Sequence, residues 1–140
     1  MKKKIWITIV ILIILTPLWM WIAWLASPKK KLVVAIVDKT VLTSAGQEHS
    51  SLTWVLNNER YTKNKHDLYS VSHDYFGFFP KGDEKYRIKG LERFSPEQIE
   101  QLSNDADAMY VTDAYGIYKN EWYTKGNTSE RSGMIYGGLS

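Results

Sequence analysis

Residues 32–37 read LVVAIV and run directly into Asp38-Lys39-Thr40. Apolarity that is continuous instead of alternating marks a strand covered on both faces, as in a parallel sheet. Asp38, Lys39 and Thr40 would then stand just past the carboxyl end of that strand.

Upstream, residues 5–26 read IWITIVILIILTPLWMWIAWLA, 22 residues without a charge. At a helical rise of ~1.5 Å per residue this run spans about 33 Å, enough for the hydrocarbon core of a bilayer. Lys2, Lys3 and Lys4 precede it, and Lys29, Lys30 and Lys31 follow. Trp6 lies near one end, and Trp19, Trp21 and Trp24 crowd the other, where amphipathic rings prefer the headgroup level. Wholly apolar core helices of soluble domains rarely exceed about 14 residues, so a transmembrane helix is expected.

The helix is expected to remain as an anchor. A cleavable signal has an apolar stretch of about 7–15 residues and small residues two apart at its end. Here the run is longer, and Ala23 and Ala26 are three apart. The chain has no cysteine, which excludes lipoprotein processing. Pro17 interrupts the run, an interruption that membrane helices tolerate. Three lysines plus the amino terminus precede the span against three lysines after it, so the positive-inside rule leans toward a cytoplasmic amino terminus. The expected placement is single-pass in the cell membrane, with the soluble part extracytoplasmic. The chain then divides into a basic flank (1–4), a transmembrane helix (5–26), a basic linker (27–31) that Pro28 helps to separate from the helix, and a soluble α/β domain (32–140).

The 114 residues from Ser27 to Ser140 suffice for one small domain. The whole chain has 18 Lys+Arg against 15 Asp+Glu, and without Lys2, Lys3 and Lys4 the remainder is neutral. The basic character therefore belongs to the flanks of the apolar run, where it suits anionic lipid. A nucleic-acid partner would need basic residues clustered on the domain itself, and none is expected.

Downstream of the first strand, Leu52, Val55 and Leu56 mark a helix over 47–58. Leu68–Ser72 alternates and reads as a second strand, followed by His73-Asp74-Tyr75. Phe76–Pro80, FGFFP, reads as an aromatic loop kept irregular by glycine and proline. Tyr86–Ile88 suggests a short strand. Ser95-Pro96-Glu97-Gln98 is a strong helix start, with a capping serine, a proline in the first turn and Gln98 completing a capping box. Ala106–Thr112 reads as a third buried strand ending at Asp113. The alternation of strands and helices predicts an α/β domain with parallel strands and right-handed crossovers, layered as in flavodoxin- or Rossmann-like folds. Only three such strands are visible, so the chain reads either as a minimal version of the fold or as the amino-terminal portion of a longer one, cut short at its carboxyl end.

In open parallel sheets, ligands bind beyond the carboxyl ends of the strands. The candidate ligand-binding residues are therefore Asp38, Lys39, Thr40, His73, Asp74, Asp113 and Tyr115. Asp38 and Asp113 are expected side by side at one rim, although an aspartate at a strand end also caps the following turn. His49, His66 and His73 show no ligand spacing and read as surface residues, so no metal site is expected. No cysteine and no GxSxG elbow offers a nucleophile, and DKTVLTSAG after the first strand is not a phosphate-binding glycine pattern. No cofactor is expected, and catalytic residues cannot be assigned. Asn127-Thr128-Ser129 matches a glycosylation acceptor. The aromatic residues from Tyr115 to Tyr123 suit either sugar stacking or packing beneath a loop, with packing favoured.

The segments VVAIVDKTV, DYFGFFP, DAMYVTDAYGIY and MIYGGLS together resemble a group of uncharacterised bacterial membrane-anchored proteins. The outer part of those proteins is similar to the class I glutamine-amidotransferase-like α/β fold. The resemblance covers most of 32–140 and implies a sheet topology and a pocket. Enzymes of that fold use a cysteine nucleophile, which this chain lacks, so the reaction is not implied. The function expected is a membrane-anchored, envelope-facing module that binds a ligand, glycan or protein without catalysis of its own. Its partners would be the bilayer through 5–26 and an envelope glycan or membrane protein. The alternative is the amino-terminal part of a hydrolase or transferase acting on an envelope polymer, with catalytic residues beyond Ser140.

Overall fold

A computed structural model of the chain describes residues 2–43, 45–123 and 133–138. Lys125–Ser132 and the Asn127 acceptor lie outside the described residues. The elements in chain order are α1 (Lys2–Ala26), β1 (Lys30–Lys31), β2 (Val34–Asp38), α2 (Ser50–Asn58), β3 (Tyr61–Thr62), β4 (Phe76–Pro80), β5 (Tyr86–Lys89), α3 (Pro96–Asp105), β6 (Ala108–Val111), β7 (Ile117–Tyr118), α4 (Lys119–Trp122) and β8 (Met134–Tyr136).

Within α1, Lys3–Ala26 is long and apolar enough to cross a membrane, with a mean hydropathy of 2.4. The helix continues through Pro17. Thr8 and Thr16 donate their hydroxyls to the carbonyls of Lys4 and Leu12, at 3.0 and 2.9 Å, so their polarity is satisfied within the helix. Apolar side chains stand exposed all round it, Trp6, Ile14 and Met20 among the most open. A helix with no polar face belongs either in a core or in lipid.

The chain leaves α1 through a short connection. Lys30–Lys31 pairs in parallel with Tyr61–Thr62, making a two-stranded ribbon at the base of the domain. The main sheet has the order β5-β4-β2-β6. β4 and β6 flank β2 in parallel, and β5 returns antiparallel to β4 as a hairpin. Starting from β2, the chain therefore adds a parallel neighbour on one side and then crosses to add the next on the other. Successive residues of a strand face opposite sides of its sheet. Ile36 packs with Val41, Leu56, Tyr69 and Tyr75 beneath α2. Ala35 faces Ile99 and Leu102 of α3 across a groove of about 340 Å³. Helices thus cover opposite faces of a mixed α/β domain. A second cluster joins Phe78, Ile117 and Trp122 at the β7–β8 end.

Four expectations change. Leu68–Ser72 is not a strand, because the Asn57 amide holds Tyr69 N–H and C=O at 2.8 Å each, occupying backbone groups that a sheet would need. Phe76–Pro80 is a strand instead of a loop. Gly77 makes it possible: its φ is +153°, and a Cβ there would lie 1.7 Å from the Asp38 carbonyl oxygen, so only glycine permits this approach. β6 is exposed along its whole length, because the crossover leaves it at the sheet edge instead of inside. His49 is buried and not on the surface. The capping box of α3 forms as read: Ser95 Oγ accepts from Gln98 N, and Gln98 Oε1 accepts from Ser95 N.

Candidate functional site

The carboxyl ends of β2 and β6 are adjacent, and the chain reverses its direction of travel across the sheet between them. Val37 pairs with Val111, and Thr112 N–H continues the ladder by donating to Val37 O at 3.0 Å. One step on, Lys39 N–H donates to Asp113 O at 3.2 Å. The Thr40 hydroxyl donates to Asp113 Oδ2 at 3.2 Å, and Tyr115 N–H donates to Asp113 Oδ1 at 2.7 Å. Asp113 therefore ties the two strand ends together and shapes the turn that presents Tyr115, whose ring is 52% exposed. That ring lies 5.5 Å from the Tyr118 ring.

Lys39 reaches the other way, donating from Nζ to Gly138 O at 2.8 Å near the Tyr136 ring. The carbonyl takes one of three ammonium donors. Backbone crosses tightly here: a Cβ on Gly137 would lie 2.1 Å from the Gly116 Cα. Burial first, and then Glu92, push the Tyr136 phenol up to about 12. Beneath Lys39 opens a cavity of about 320 Å³, floored by Val37, Met109 and Val111, with Lys39 and Glu92 as its charged walls. Of the candidate residues Lys39 alone lines this cavity, and Thr40 and Asp113 stand next to it in the chain, beside Lys39 and Ala114.

Compared with family models, curated proteins and solved structures, this chain matches none.

Of the seven candidate residues, Lys39, Thr40, Asp113 and Tyr115 come together. Asp38 sits at the same strand end but turns inward, and its side chain is fully buried. Its Oδ2 lies 2.7 Å from His49 Nδ1, and His49 Nε2 lies 2.8 Å from Val71 O. Both ring nitrogens therefore face oxygen atoms, and the ring bridges the carboxylate and the Val71 carbonyl. Burial alone would raise the Asp38 carboxyl, but the His49 hydrogen bond and charge bring it below its ordinary value. The Tyr75 ring lies 4.5 Å from His49, and burial lifts its phenol well above the usual range. The pair binds the end of β2 to the start of α2 and to the 68–75 segment; it is a brace beneath the crevice.

His73 and Asp74 lie elsewhere, because they precede β4 instead of ending a strand. Asp74 Oδ2 accepts from Lys63 Nζ and Ser70 N, each at 2.6 Å. His73 Nδ1 contacts the Ser72 hydroxyl at 2.5 Å on the surface. Among the described residues, no group of three or more His, Asp or Glu is placed to hold a metal. His49 escaped the sequence reading because no spacing marks a partner eleven residues away across a strand end. Leu91, Glu92 and Met109 escaped it because their place at the cavity depends on strand order.

Proposed function

We propose that this chain is a membrane-tethered, ligand-binding α/β domain without catalytic chemistry of its own. α1 crosses the cell membrane once, the amino terminus is cytoplasmic, and the domain faces the envelope. The parallel strand order, with the first strand between the second and third, is that of a flavodoxin-like doubly wound sheet, in which the crevice between strands one and three binds the ligand. The class I glutamine-amidotransferase-like resemblance supports the same layered topology. The observation that carries the reading is the junction of the two strand ends, where Lys39 N–H and the Thr40 hydroxyl both donate to Asp113, beside the cavity of about 320 Å³ that Lys39 lines. The exposed Tyr115 ring, next to a hydroxyl and a carboxylate, favours a hydroxyl-rich ligand such as an envelope glycan.

Carbonate extraction and amino-terminal sequencing test the anchor, and a soluble form starting near Ser27 refutes it. Protease added to wall-stripped cells should digest the domain; full protection reverses the orientation. For the site, the full chain in micelles is titrated with an N-acetylhexosamine trisaccharide and followed by NMR. Shifts should concentrate at Lys39, Thr40, Asp113 and Tyr115 and vanish in Asp113→Asn, with folding intact. The absence of shifts at millimolar probe, or shifts centred away from this rim, refutes the glycan reading.

A further inference from the structure

The end of the domain nearest α1 is built differently from the crevice. Trp24, in the last turn of α1, donates its ring N–H to Asn58 O at 2.6 Å. Arg60 Nη1 donates to Trp24 O at 3.1 Å, and its guanidinium lies 5.0 Å from the centre of the Trp24 ring. Arg60 holds a left-handed φ of 60°, and its carbonyl accepts from Lys30 N at 3.1 Å. Lys29 Nζ donates to His66 O at 3.1 Å, drawing the 64–67 turn to the same end. The end of α1 and the linker that follows it are therefore tied to two segments of the domain, 58–60 and 64–67.

From this geometry we infer that the base of the domain is an anionic-lipid-binding surface, with Trp54, Arg60, Lys29, Lys30, Lys31 and Lys65 resting on phospholipid headgroups. The inference depends on reading α1 as a membrane span. Trp24 belongs to the tryptophan group at the end of the apolar run, the level at which such rings meet headgroups. Its hydrogen bond sets Asn58 at that level. Trp54 lies one helical turn before Asn58, about 6 Å of rise away. The headgroup layer on each side of a bilayer is about 5–8 Å thick, so Trp54 lies within about one such thickness of Asn58 at any tilt of α2. The Trp54 side chain is 66% exposed and Val55 beside it 45%, an aromatic and apolar pair turned outward on a short helix.

Charge agrees with this placement. In the two segments that contact the anchor, residues 29–31 and 59–67, six Lys and Arg stand against Glu59 and Asp67. Of the six, Lys63 is paired with Asp74 at 2.6 Å and the Arg60 guanidinium is turned onto Trp24, while Lys30, Lys31 and Lys65 are exposed. Asp107, just before β6, directs its carboxylate to Val33 N at 2.7 Å. A basic surface continuous with the exit of a membrane helix meets lipid before any soluble partner, and anionic headgroups supply the complementary charge.

The chain has no cysteine, so a single one can be introduced at Ile13, Trp54 or Met109 and labelled with a fluorophore. The full chain is placed in nanodiscs of phosphatidylcholine, with or without about one-third phosphatidylglycerol, carrying nitroxide lipids at the headgroup or mid-chain. With Ile13→Cys the label should be quenched by mid-chain nitroxide. With Trp54→Cys it should be quenched by headgroup nitroxide, more strongly when anionic lipid is present; with Met109→Cys it should respond to neither. Glutamine at Lys29, Lys30, Lys31 and Lys65, or ~1 M salt with its Debye length of about 3 Å, should reduce quenching at position 54 about twofold. Quenching at 54 no greater than at 109, while 13 is quenched, overturns the lipid-surface inference and leaves the span standing. Quenching at 54 that ignores anionic lipid and the lysine replacements overturns the assignment to anionic headgroups. An unquenched label at 13 overturns the span and this inference with it.

Discussion

Replacing His49 with alanine should destabilise the domain by about 3–5 kcal/mol, the cost of leaving the buried Asp38 carboxylate without its partner. Asp38 and His49 are both inaccessible to solvent and lie 2.7 Å apart, so water cannot take the place of the lost ring. The ring also packs on Tyr75 and bridges to Val71 O, so the variant loosens three segments at once. Against a typical domain stability of about 5–15 kcal/mol this loss is large. Asp38→Asn keeps the volume and removes the charge, and should cost about 1–3 kcal/mol. The double variant should cost less than the two singles together, because the second change removes a group already left without its partner. The assay is urea unfolding of the full chain in micelles followed by near-ultraviolet circular dichroism, since α1 dominates the far-ultraviolet signal. The sign of the pH dependence follows from Asp38. Its carboxyl titrates lower in the folded chain than in the unfolded one, so the ionised form favours folding. That stability is complete above the unfolded value of about 3.9 and is lost as pH falls through the folded value below it. Acid sensitivity below about pH 4 should therefore diminish in Asp38→Asn. A His49→Ala loss under about 1 kcal/mol, the range of an ordinary surface change, would refute the brace.

Gly77→Ala should cost at least about 2–3 kcal/mol, because its Cβ would strike the Asp38 carbonyl and push β4 from β2; an unchanged urea midpoint counts against the observed register. Ser95→Ala should cost about 1 kcal/mol and speed hydrogen exchange at the Gln98 amide, leaving the Ile36 cluster protected; uniform loss of protection would contradict a local cap. Asp113→Ala removes the acceptor for Thr40 Oγ and Tyr115 N and should cost about 1 kcal/mol, read from the same unfolding curves. A loss as large as that of His49→Ala would show that Asp113 is part of the core brace instead of the rim.

Several features were legible because their causes are local. The apolar helix over 5–26 follows from an uninterrupted run, and the start of α3 follows from Ser95, Pro96 and Gln98 standing within one turn. LVVAIV announced a covered strand, and β2 is the strand enclosed by two neighbours. The meeting of Asp113 with the 38–40 segment was also readable, since parallel strands joined by helical crossovers carry their carboxyl ends on one side. What tertiary structure alone decided involves partners far apart in the chain. Leu68–Ser72 alternates like a strand, yet Asn57 claims the backbone of Tyr69. FGFFP looks like a loop until the Asp38 carbonyl is seen against Gly77. AMYV is as apolar as a core strand, but strand order leaves it at the edge. Asp38 and His49 each look like surface polar residues. Only the closing of α2 over β2 removes both from water, and the buried carboxylate and imidazole then hold each other by a hydrogen bond that neither residue's local sequence records.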